Sequence, residues 1–352
     1  METAGSPGFS MPAEWEHHEA TWIGWPHNKS DWPGKFTPIP WVYGEIVRWL
    51  SSGEIIRIIV GSRDHEKSAR IVLKRVGVDL SKVEFFHFAT DRGWTRDFGP
   101  MFVRNAQSHQ VAINNFKFTG WAKYDNWKKD CKVHRLAAKA LELQLLQPLI
   151  EGMPFVLEGG AIDVNGKGTL LTTEECLLDQ AIQVRNPGMT RETVERALKD
   201  SLGVTNVLWL GKGIAGDDTH GHVDDVARFV DARTVLICEE RNSSDSNYKL
   251  LQENRERLEG MKLENGSKPE IVKIPMPEPL VFDEVRVPAS YANFYVGNAA
   301  VVVPTFNDPK DRIALGILSE LFADRPVVGI HAVDLVWGFG TLHCLTQQQP
   351  AG

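Results

Sequence analysis

Apolar positions along the chain alternate between the spacing of helices and that of short strands. The segment PWVYGEIVRWLSS carries apolar residues three and four positions apart and stops at Gly53, which predicts a helix. The β-branched run EIIRIIV then predicts a strand. SRDHEKSARIVLKRVG predicts a second helix, capped by Ser62 and ended by Gly77, and KVEFFHF a second strand. This alternation is typical of an α/β fold.

The same patterns continue along the rest of the chain. They predict four more helices, at 126–146, 190–202, 245–264 and 309–323. They predict three more strands, near 206–210, 271–274 and 326–330. Thr190 is a typical helix cap, and Pro309 is typical of a first helical turn. No long Ser/Gly/Pro linker divides the chain, so we expect a single catalytic domain over 1–352, with a flexible N-terminal segment at 1–10.

A longer-range pattern concerns predicted hairpins, each led by a polar residue and small residues. The four stretches are RDFGPMFVRNAQSHQVAINNF, EGGAIDVNGKGTLLTTEEC, GHVDDVARFVDARTVLICEE and ASYANFYVGNAAVVVPTFND. Their leading residues Asp97, Glu158, His222 and Asn293 are 61, 64 and 71 positions apart, and Cys344 follows after 51 more. This spacing indicates either a pseudosymmetric ring or propeller with the hairpin starts at its axis, or an ordinary α/β chain with regular hairpins.

If the hairpin starts converge, the axis collects chemically meaningful side chains. They are Asp97, Glu158, His222, Asp224 and Cys344. Carboxylates alone would raise the pKa of the thiol and weaken it as a nucleophile, so the set makes sense when a cation binds among them. A guanidinium is a planar cation that carboxylates grip through paired N–H bonds, and a thiolate can attack its central carbon. Ammonia would leave, and histidine suits the general acid that this step needs.

The run DDTHGHVDD offers a different interpretation. His220, His222 and Asp224 spell H-x-H-x-D, which resembles the metal-binding run H-x-H-x-D-H of metallo-β-lactamase-like hydrolases. Here the sixth position is Asp225, and few histidines follow it. A metal-dependent hydrolase is therefore the remote alternative.

Composition and charge narrow the classes of partner. The chain is 42% apolar and 24% charged, which is typical of a globular protein. Its net charge of -7 disfavours nucleic acid and anionic membranes as partners. The four cysteines are far apart and form no C-x-x-C pair, so we expect free thiols and a cytoplasmic location.

Six stretches, taken together, resemble the agmatine deiminase branch of the guanidine-modifying (pentein) superfamily. They are MPAEWEHHEATWIGWP, WTRDFGPMFV, LEGGAIDVNGKGT, GHVDDVARF, ASYANFYVGNAAVVVPTF and GFGTLHCLTQQQP. They span the chain in the order of the family. The resemblance implies a five-bladed pseudosymmetric α/β propeller of ββαβ units, the pentein fold. It also implies that the last strand closes the ring and delivers Cys344 to the axis.

The resemblance assigns a role to each matched residue. Cys344 would be the nucleophile, and His222 the general acid and then base. Asp97 and Asp224 would hold the guanidinium nitrogens, and Glu158 would contact the guanidinium or His222. The reaction would convert agmatine to N-carbamoylputrescine with release of ammonia, without metal or cofactor.

Other residues and the substrate tail are less closely defined by the resemblance. Trp94 would pack on the chain of a small cationic guanidinium substrate, with His343 and His220 behind the site. Two departures from the family pattern, Phe339 between two glycines and the run FTGWAKYDNWKKD, leave peptidyl-arginine or free arginine derivatives open as substrates. A homo-oligomer also stays open.

Overall fold

The structure is a computed structural model that describes residues 8–352. Residues 1–7 of the expected flexible segment lie outside the described part. Within the segment 1–10 that was expected to be flexible, Phe9–Ser10 form a strand that pairs with Arg104 and Asn105. That pairing ties the start of the described chain into a sheet.

Short strands supply most of the framework. The described residues form β1 Phe9–Ser10, β2 His18–Gly24, β3 Ile55–Val60, β4 Val83–His87, β5 Met101–Asn105, β6 Val111–Asn114, β7 Gln144–Leu146, β8 Leu149–Ile150, β9 Met153–Pro154, β10 Ile162–Val164, β11 Thr169–Thr173, β12 Asn206–Leu210, β13 Ala227–Phe229, β14 Thr234–Glu239, β15 Glu270–Pro275, β16 Val281–Phe282, β17 Val285–Arg286, β18 Tyr295–Val296, β19 Val301–Thr305, β20 Val327–His331 and β21 Thr346–Pro350. The predicted strands at 206–210, 271–274 and 326–330 are therefore confirmed as β12, β15 and β20.

Helices lie between the strands. The described helices are α1 Ile39–Leu50, α2 Arg63–Arg75, α3 Thr95–Phe98, α4 Val133–Ala140, α5 Glu174–Leu178, α6 Arg191–Leu202, α7 Asn247–Gly260, α8 Asp311–Leu321 and α9 Leu342–Leu345. Ser62 and Thr190 cap α2 and α6 through their side-chain oxygens, as predicted. Within residues 8–352, no helix is long and apolar enough to cross a membrane.

The prediction of one helix over 126–146 was wrong. Only α4, at Val133–Ala140, is α-helical there, and β7 takes up Gln144–Leu146. Two local features explain the difference. The Asp130 carboxylate accepts backbone N–H groups of Asp91 and Arg92, which holds the preceding segment against another loop. Glu142 adopts a left-handed φ of 56°, which ends the helix before the strand.

Five sheets share one connection pattern. In each, an antiparallel pair is followed by one or two helices and then by a strand parallel to the second member of the pair. The sheets contain β5–β6–β7, β10–β11–β12, β13–β14–β15, β18–β19–β20 and β21–β2–β3, with β1 and β4 added at two edges. Across residues 8–352 no sheet closes on itself. The architecture is a mixed α/β fold of five similar modules.

The fifth module joins the two ends of the described chain. β21 pairs antiparallel with β2, placing Thr346 opposite Ile23 and Gln349 opposite Ala20. β21 is buried along its whole length despite the sequence TQQQP. Trp22 and Arg57 both donate to the Gln349 side chain, so polar strand residues find partners inside the fold. This pairing anchors the residues that come directly before β21.

Candidate active site

A short turn precedes the first strand of each module, and these turns carry the residues picked out by the hairpin pattern. Asp97 lies in α3, and Cys344 lies in α9. Glu158 and His222 are the N-caps of short 3-10 turns at Gly159–Ala161 and Val223–Asp225, the second of which contains Asp224. All five side chains are buried at 5% exposure or less. The structure therefore brings the whole predicted set into the interior.

Gly160 shows how closely these side chains approach one another. A Cβ atom at this position would lie 2.5 Å from His222 Nδ1, 3.0 Å from Asp97 Oδ1 and 3.1 Å from Asp224 Oδ2. Its backbone N–H also donates to Asp97 Oδ1 at 3.1 Å. Any side chain here would fill the space among the three polar groups, so glycine keeps the centre open.

His222 stands between two carboxylates without a hydrogen bond to either. Its Nδ1 is 3.7 Å from Asp97 Oδ1, and its Nε2 is 3.7 Å from Glu158 Oε2. Burial opposes its positive charge, yet the Asp97 carboxylate, with Cys176 and Glu158, raises the pKa of His222 well above its ordinary value. An imidazolium with unengaged ring nitrogens can give up a proton to a group that enters the site.

Asp97 is held at the closed end of the site. Trp121 Nε1 donates to its Oδ2 at 2.8 Å. Burial, reinforced by the charges of Asp224 and Glu158, raises the pKa of Asp97 to about 6, although His222 acts in the opposite direction. A cation between these carboxylates would favour their ionised forms.

Glu158 is fixed by a residue that the sequence did not single out. Arg185 Nε lies 3.3 Å from both carboxylate oxygens of Glu158, and neither side chain is exposed. Burial opposes ionisation, but Arg185 and His222 together lower the pKa of Glu158 below its ordinary value. Glu158 therefore stays negative behind His222.

Asp224 is held from behind by a second histidine. His343 Nδ1 lies 2.7 Å from Asp224 Oδ2, and His343 Nε2 lies 2.8 Å from Glu14 Oε2. Despite burial, the contact with His343 lowers the pKa of Asp224. Asp224 Oδ1 is buried and has no hydrogen-bond partner within residues 8–352. One oxygen is thus anchored, and the other is able to accept a bond from a ligand.

The Glu14 carboxylate contacts basic side chains from several modules. Its carboxylate contacts Arg228 Nη2 at 2.9 Å and Arg96 Nη2 at 3.3 Å as well as His343. Burial opposes ionisation, but these three partners, Arg228 first, hold the pKa of Glu14 well below its ordinary value. The base of the site is therefore a closed network of paired charges.

The Cys344 thiol faces this arrangement from α9. Its Sγ lies 3.1 Å from Asn293 Nδ2 and 3.8 Å from Asp224 Oδ2. Burial, followed by the charges of Asp224, Asp225 and Asp97, raises the pKa of Cys344 well above its ordinary value. The thiol is therefore neutral until a cation offsets the carboxylates.

A cavity of about 380 Å³ is lined by two of these groups, Asp97 and Cys344, together with Trp94 and Trp121. Trp94 packs against Trp32 at a centroid distance of 5.2 Å and an interplanar angle of 39°, which fixes its indole. The volume suits a small or extended ligand whose polar end reaches the thiol.

The metal interpretation finds little support in the arrangement of the three residues on which it was based. His220 Nε2 lies 2.7 Å from Asp179 Oδ2, so its ring is engaged away from His222 and Asp224. Within the described chain, the one group of His, Cys, Asp or Glu ligand atoms within 4.8 Å of one another is Glu158, Cys176 and His222. Arg185 already occupies the Glu158 carboxylate of that group, and a second cation there would be repelled.

Several residues of the site escaped the sequence interpretation. Glu14 lies inside the matched stretch MPAEWEHHEATWIGWP, and Asn293 heads the fourth hairpin, so both had a sequence signal. Arg185 and Trp121 stand outside the hairpin stretches, and Cys176 ends the second stretch, in α5. Their contacts depend on tertiary packing that no spacing predicts.

Comparisons of sequence and of overall structure relate the chain to known proteins. Residues 10–350 match the family described as Porphyromonas-type peptidyl-arginine deiminase. A curated agmatine deiminase from Ectopseudomonas mendocina is 33% identical, with 99% of this chain and 97% of that protein covered. A solved agmatine deiminase from Enterococcus faecalis superposes with a TM-score of 0.89 at 30% identity, covering 100% of this chain and 98% of that one. The chain therefore belongs to the Porphyromonas-type peptidyl-arginine deiminase family.

Proposed function

We propose that this protein is an agmatine deiminase. It hydrolyses a C–N bond in the guanidinium of agmatine, releases ammonia and leaves N-carbamoylputrescine, an intermediate of putrescine and polyamine metabolism. The full-length similarity to proteins named agmatine deiminase supports this substrate. The chain would act as a single catalytic domain without metal or cofactor.

One observation carries the chemistry. Asp97 and Cys344 line the cavity, and Asp224 Oδ2 lies 3.8 Å from the Cys344 sulfur. The other oxygen of Asp224, Oδ1, is buried without a partner within residues 8–352, so it is available to accept an N–H bond. A guanidinium supplies paired N–H donors and the positive charge that this end of the site lacks. Asp97 and Asp224 would hold its nitrogens, with its carbon next to Cys344 Sγ.

The reaction then follows from the charges. Bound guanidinium favours ionisation of Cys344, whose proton is lost to solvent through the cavity, and the thiolate sulfur then forms a bond to the central carbon. His222 gives a proton to the departing nitrogen, the C–N bond breaks, and ammonia leaves a covalent thiouronium adduct. His222 next removes a proton from water, whose oxygen attacks the same carbon, and the C–S bond breaks to give the ureido product. Glu158 keeps His222 charged for the first of these proton transfers.

We also propose that the five modules surround one axis as a five-bladed α/β propeller, the pentein fold. Their common ββαβ connection pattern supports this arrangement. So does the meeting of their leading turns, in which Gly160 donates to Asp97 and His343 donates its backbone N–H to Asn293.

The charged residues along the cavity bear on the substrate tail. Asp31 and Asp218 both line the cavity, where Asp31 pairs with Arg92 at 2.7 Å and Asp218 pairs with Lys123 at 2.5 Å. Each of these cations is thus balanced by a carboxylate, so neither leaves a surplus positive charge for the carboxylate of an arginine. This balance favours agmatine, whose far end is an amine. The family name keeps peptidyl-arginine as the second candidate, and Arg92 is the cation that could meet a peptide carboxylate.

A substrate panel tests the proposal. Ammonia release and ureido product are measured for agmatine, arginine and arginine blocked at either end, with Cys344→Ser as the control for covalent catalysis. We expect agmatine to have the highest kcat/KM and the variant to be inactive. A blocked arginine that outperforms agmatine would transfer the proposal to the peptide substrate, and full activity of folded Cys344→Ser would refute it.

A further inference from the structure

Two aromatic residues of the cavity have an unusual backbone conformation. Phe339 has a φ of 65° and Trp121 a φ of 57°, and within residues 8–352 no other Phe, Tyr or Trp has a left-handed φ. This conformation is unfavourable for a bulky side chain, so it persists only where surrounding contacts impose it. Both residues line the cavity that Cys344 also lines. Each lies in one of the two segments that depart from the family pattern.

The glycines on either side of this phenylalanine have no room for a side chain. A Cβ atom at Gly338 would lie 2.5 Å from Trp32 Nε1. A Cβ atom at Gly340 would lie 2.8 Å from the Trp94 ring and 3.2 Å from Cys344 Sγ. Since the loop backbone packs directly on two indoles, only its middle residue can carry a side chain, and that residue borders the cavity.

The Phe339 ring has a fixed neighbour. It packs against Trp337 at a centroid distance of 6.2 Å and an interplanar angle of 30°. Trp337 also lines the cavity, and its Nε1 donates to the Pro33 carbonyl at 3.0 Å. Phe282, in the β16–β17 hairpin, packs on the same indole at 5.4 Å. We therefore expect the Phe339 ring to keep its position when a ligand enters the cavity.

The polar groups of three other aromatic lining residues are already engaged. Trp121 Nε1 donates to Asp97, Tyr124 donates its hydroxyl to Asp218 at 2.7 Å, and Trp337 Nε1 donates to a backbone carbonyl. These rings offer apolar faces to a ligand and no further N–H or O–H. Such a lining suits a run of methylene groups, whereas a carboxylate or peptide group buried against it would lack a partner.

We infer that Phe339 is a specificity-determining residue, whose ring restricts the cavity to a guanidine with an unbranched tail. A guanidine that carries a carboxylate or peptide group on its tail is thereby disfavoured. The inference rests on the proposed function, because it takes this cavity to hold a guanidine substrate. It adds a limit of shape to the balance of charges along the cavity.

The test removes the ring from the full chain in two ways. Phe339→Gly and Phe339→Asn both place a residue that tolerates a left-handed φ, so the loop keeps its conformation beside Cys344. Ammonia release gives kcat/KM for agmatine and for arginine blocked at both ends. We expect the preference for agmatine to fall at least about tenfold, with the blocked arginine gaining and agmatine losing. The change should lie mainly in KM, because the ring contacts the tail and not the reacting atoms.

A third substrate and a control variant separate shape from other effects. Butylguanidine has an unbranched tail without the amine, so it should not gain when the ring is removed. A gain equal to that of the blocked arginine would show general loosening and overturn the inference. Glu142→Gly makes the matched backbone change at another left-handed position, φ 56°, after α4 and outside the cavity. It should leave the preference unchanged.

Binding measurements distinguish this inference from the proposed function. Calorimetry on Cys344→Ser, with and without each Phe339 substitution, gives the affinities for agmatine and blocked arginine without turnover. A wild type that prefers blocked arginine, or that turns over no guanidine, overturns the proposed function, and the ratio of affinities still decides the inference. An unchanged ratio in both Phe339 variants, in binding and in any turnover, overturns the inference even if agmatine is the substrate.

Discussion

Two buried histidines in this site have similar partners and different geometry. His343 lies 2.7 Å and 2.8 Å from two carboxylate oxygens, whereas His222 lies 3.7 Å from each of its two. Both rings are 1% exposed. His343 is hydrogen bonded at both ring nitrogens, whereas His222 has carboxylates on both sides but no hydrogen bond to either.

The difference separates positioning from proton transfer. Because each ring nitrogen of His343 is hydrogen bonded to a carboxylate, Asp224 on one side and Glu14 on the other, the ring is fixed in place and neither nitrogen faces a reacting group. The Asp97 and Glu158 carboxylates keep His222 charged without forming a hydrogen bond to it. Its ring protons are therefore available to a reacting group. His343 thus positions Asp224, and His222 would transfer protons in the reaction.

The largest expected effect tests the role of His222 in proton transfer. His222→Asn removes the general acid and base, so kcat should fall by about a thousandfold or more with KM within a few-fold of wild type. Steady-state kinetics on agmatine measure both constants. A variant with near-normal kcat would place the proton transfer elsewhere and end the contrast with His343.

Removing one guanidinium-binding charge should cost somewhat less. Asp97→Asn and Asp224→Asn keep shape, and each should lower kcat/KM at least about a hundredfold, or about 2.7 kcal/mol. The double variant should lose less than the sum, because both carboxylates bind one planar group. Asp179→Asn is the matched control, because Asp179 binds the outward-turned His220 and accepts the backbone N–H groups of Ala181 and Ile182. Normal kinetics in both site variants would contradict their assigned roles.

The pH dependence should reflect the raised pKa of Asp97. Its carboxyl has a pKa of about 6 in the folded protein, above the ordinary 3.8, so it is protonated below that value and ionised above it. We expect kcat/KM to rise about tenfold per pH unit up to about pH 6, because only the carboxylate binds the cation. The profile of Asp97→Asn should lack this limb, and a limb that persists unchanged would assign it to another group.

A smaller effect on the rate is expected when the Glu14 contact with His343 is weakened. Glu14→Gln should lower kcat/KM about tenfold, since His343 and Asp224 keep their contact but lose part of their support. Its effect on stability should depend on pH. The folded pKa of Glu14 is lowered, so its contribution is present above the ordinary value of 4.5 and is lost as pH falls through the folded pKa.

Chemical denaturation at several pH values checks this expectation. The wild type should exceed Glu14→Gln in unfolding free energy at neutral pH, and the gap should narrow as the solution is made more acid than 4.5. Glu54→Gln is the matched control, because Glu54 also pairs with a buried histidine, His18, while its carboxylate otherwise binds Thr21 and the Asn298 backbone. A loss of activity as large in Glu54→Gln would show that general destabilisation explains both variants.

The smallest expected effect concerns the third histidine and metals. His220→Asn should keep kcat/KM within about twofold, because its ring contacts Asp179 and not the reacting groups. Prolonged chelation should likewise leave the rate unchanged. Stoichiometric zinc in the purified protein, with activity lost on its removal, would restore the metal-dependent hydrolase.

The sequence predicted elements best where local signals act alone. Ser62 and Thr190 begin their helices as expected, since a side-chain cap acts within three residues. The 126–146 segment failed because the contacts of Asp130 with Asp91 and Arg92 come from a loop about 40 positions away along the sequence. Tertiary contacts of this kind leave no local periodicity.

The site shows the same limit in its chemistry. Asp97, Glu158, His222 and Cys344 stand at the start of similar modules, and their spacing indicated a shared site on the condition that the hairpin starts converge. Arg185 lies in an irregular segment between α5 and α6 and reaches Glu158 through its long side chain. Which charge balances a buried carboxylate depends on packing, which a linear pattern does not contain.

The pairing of β2 with β21 also determines when activity can appear during synthesis of the chain. β2 is made early, and six of its seven residues are buried in the finished fold, but its neighbour follows more than 300 residues later. Until then one edge of β2 has no partner, and an apolar edge of this kind invites association between nascent chains. The strand that covers this edge is also the one that follows the Cys344 turn. A chain stopped before residue 346 lacks the strand that covers this edge and that follows the Cys344 turn, so we expect it to be inactive and prone to aggregate.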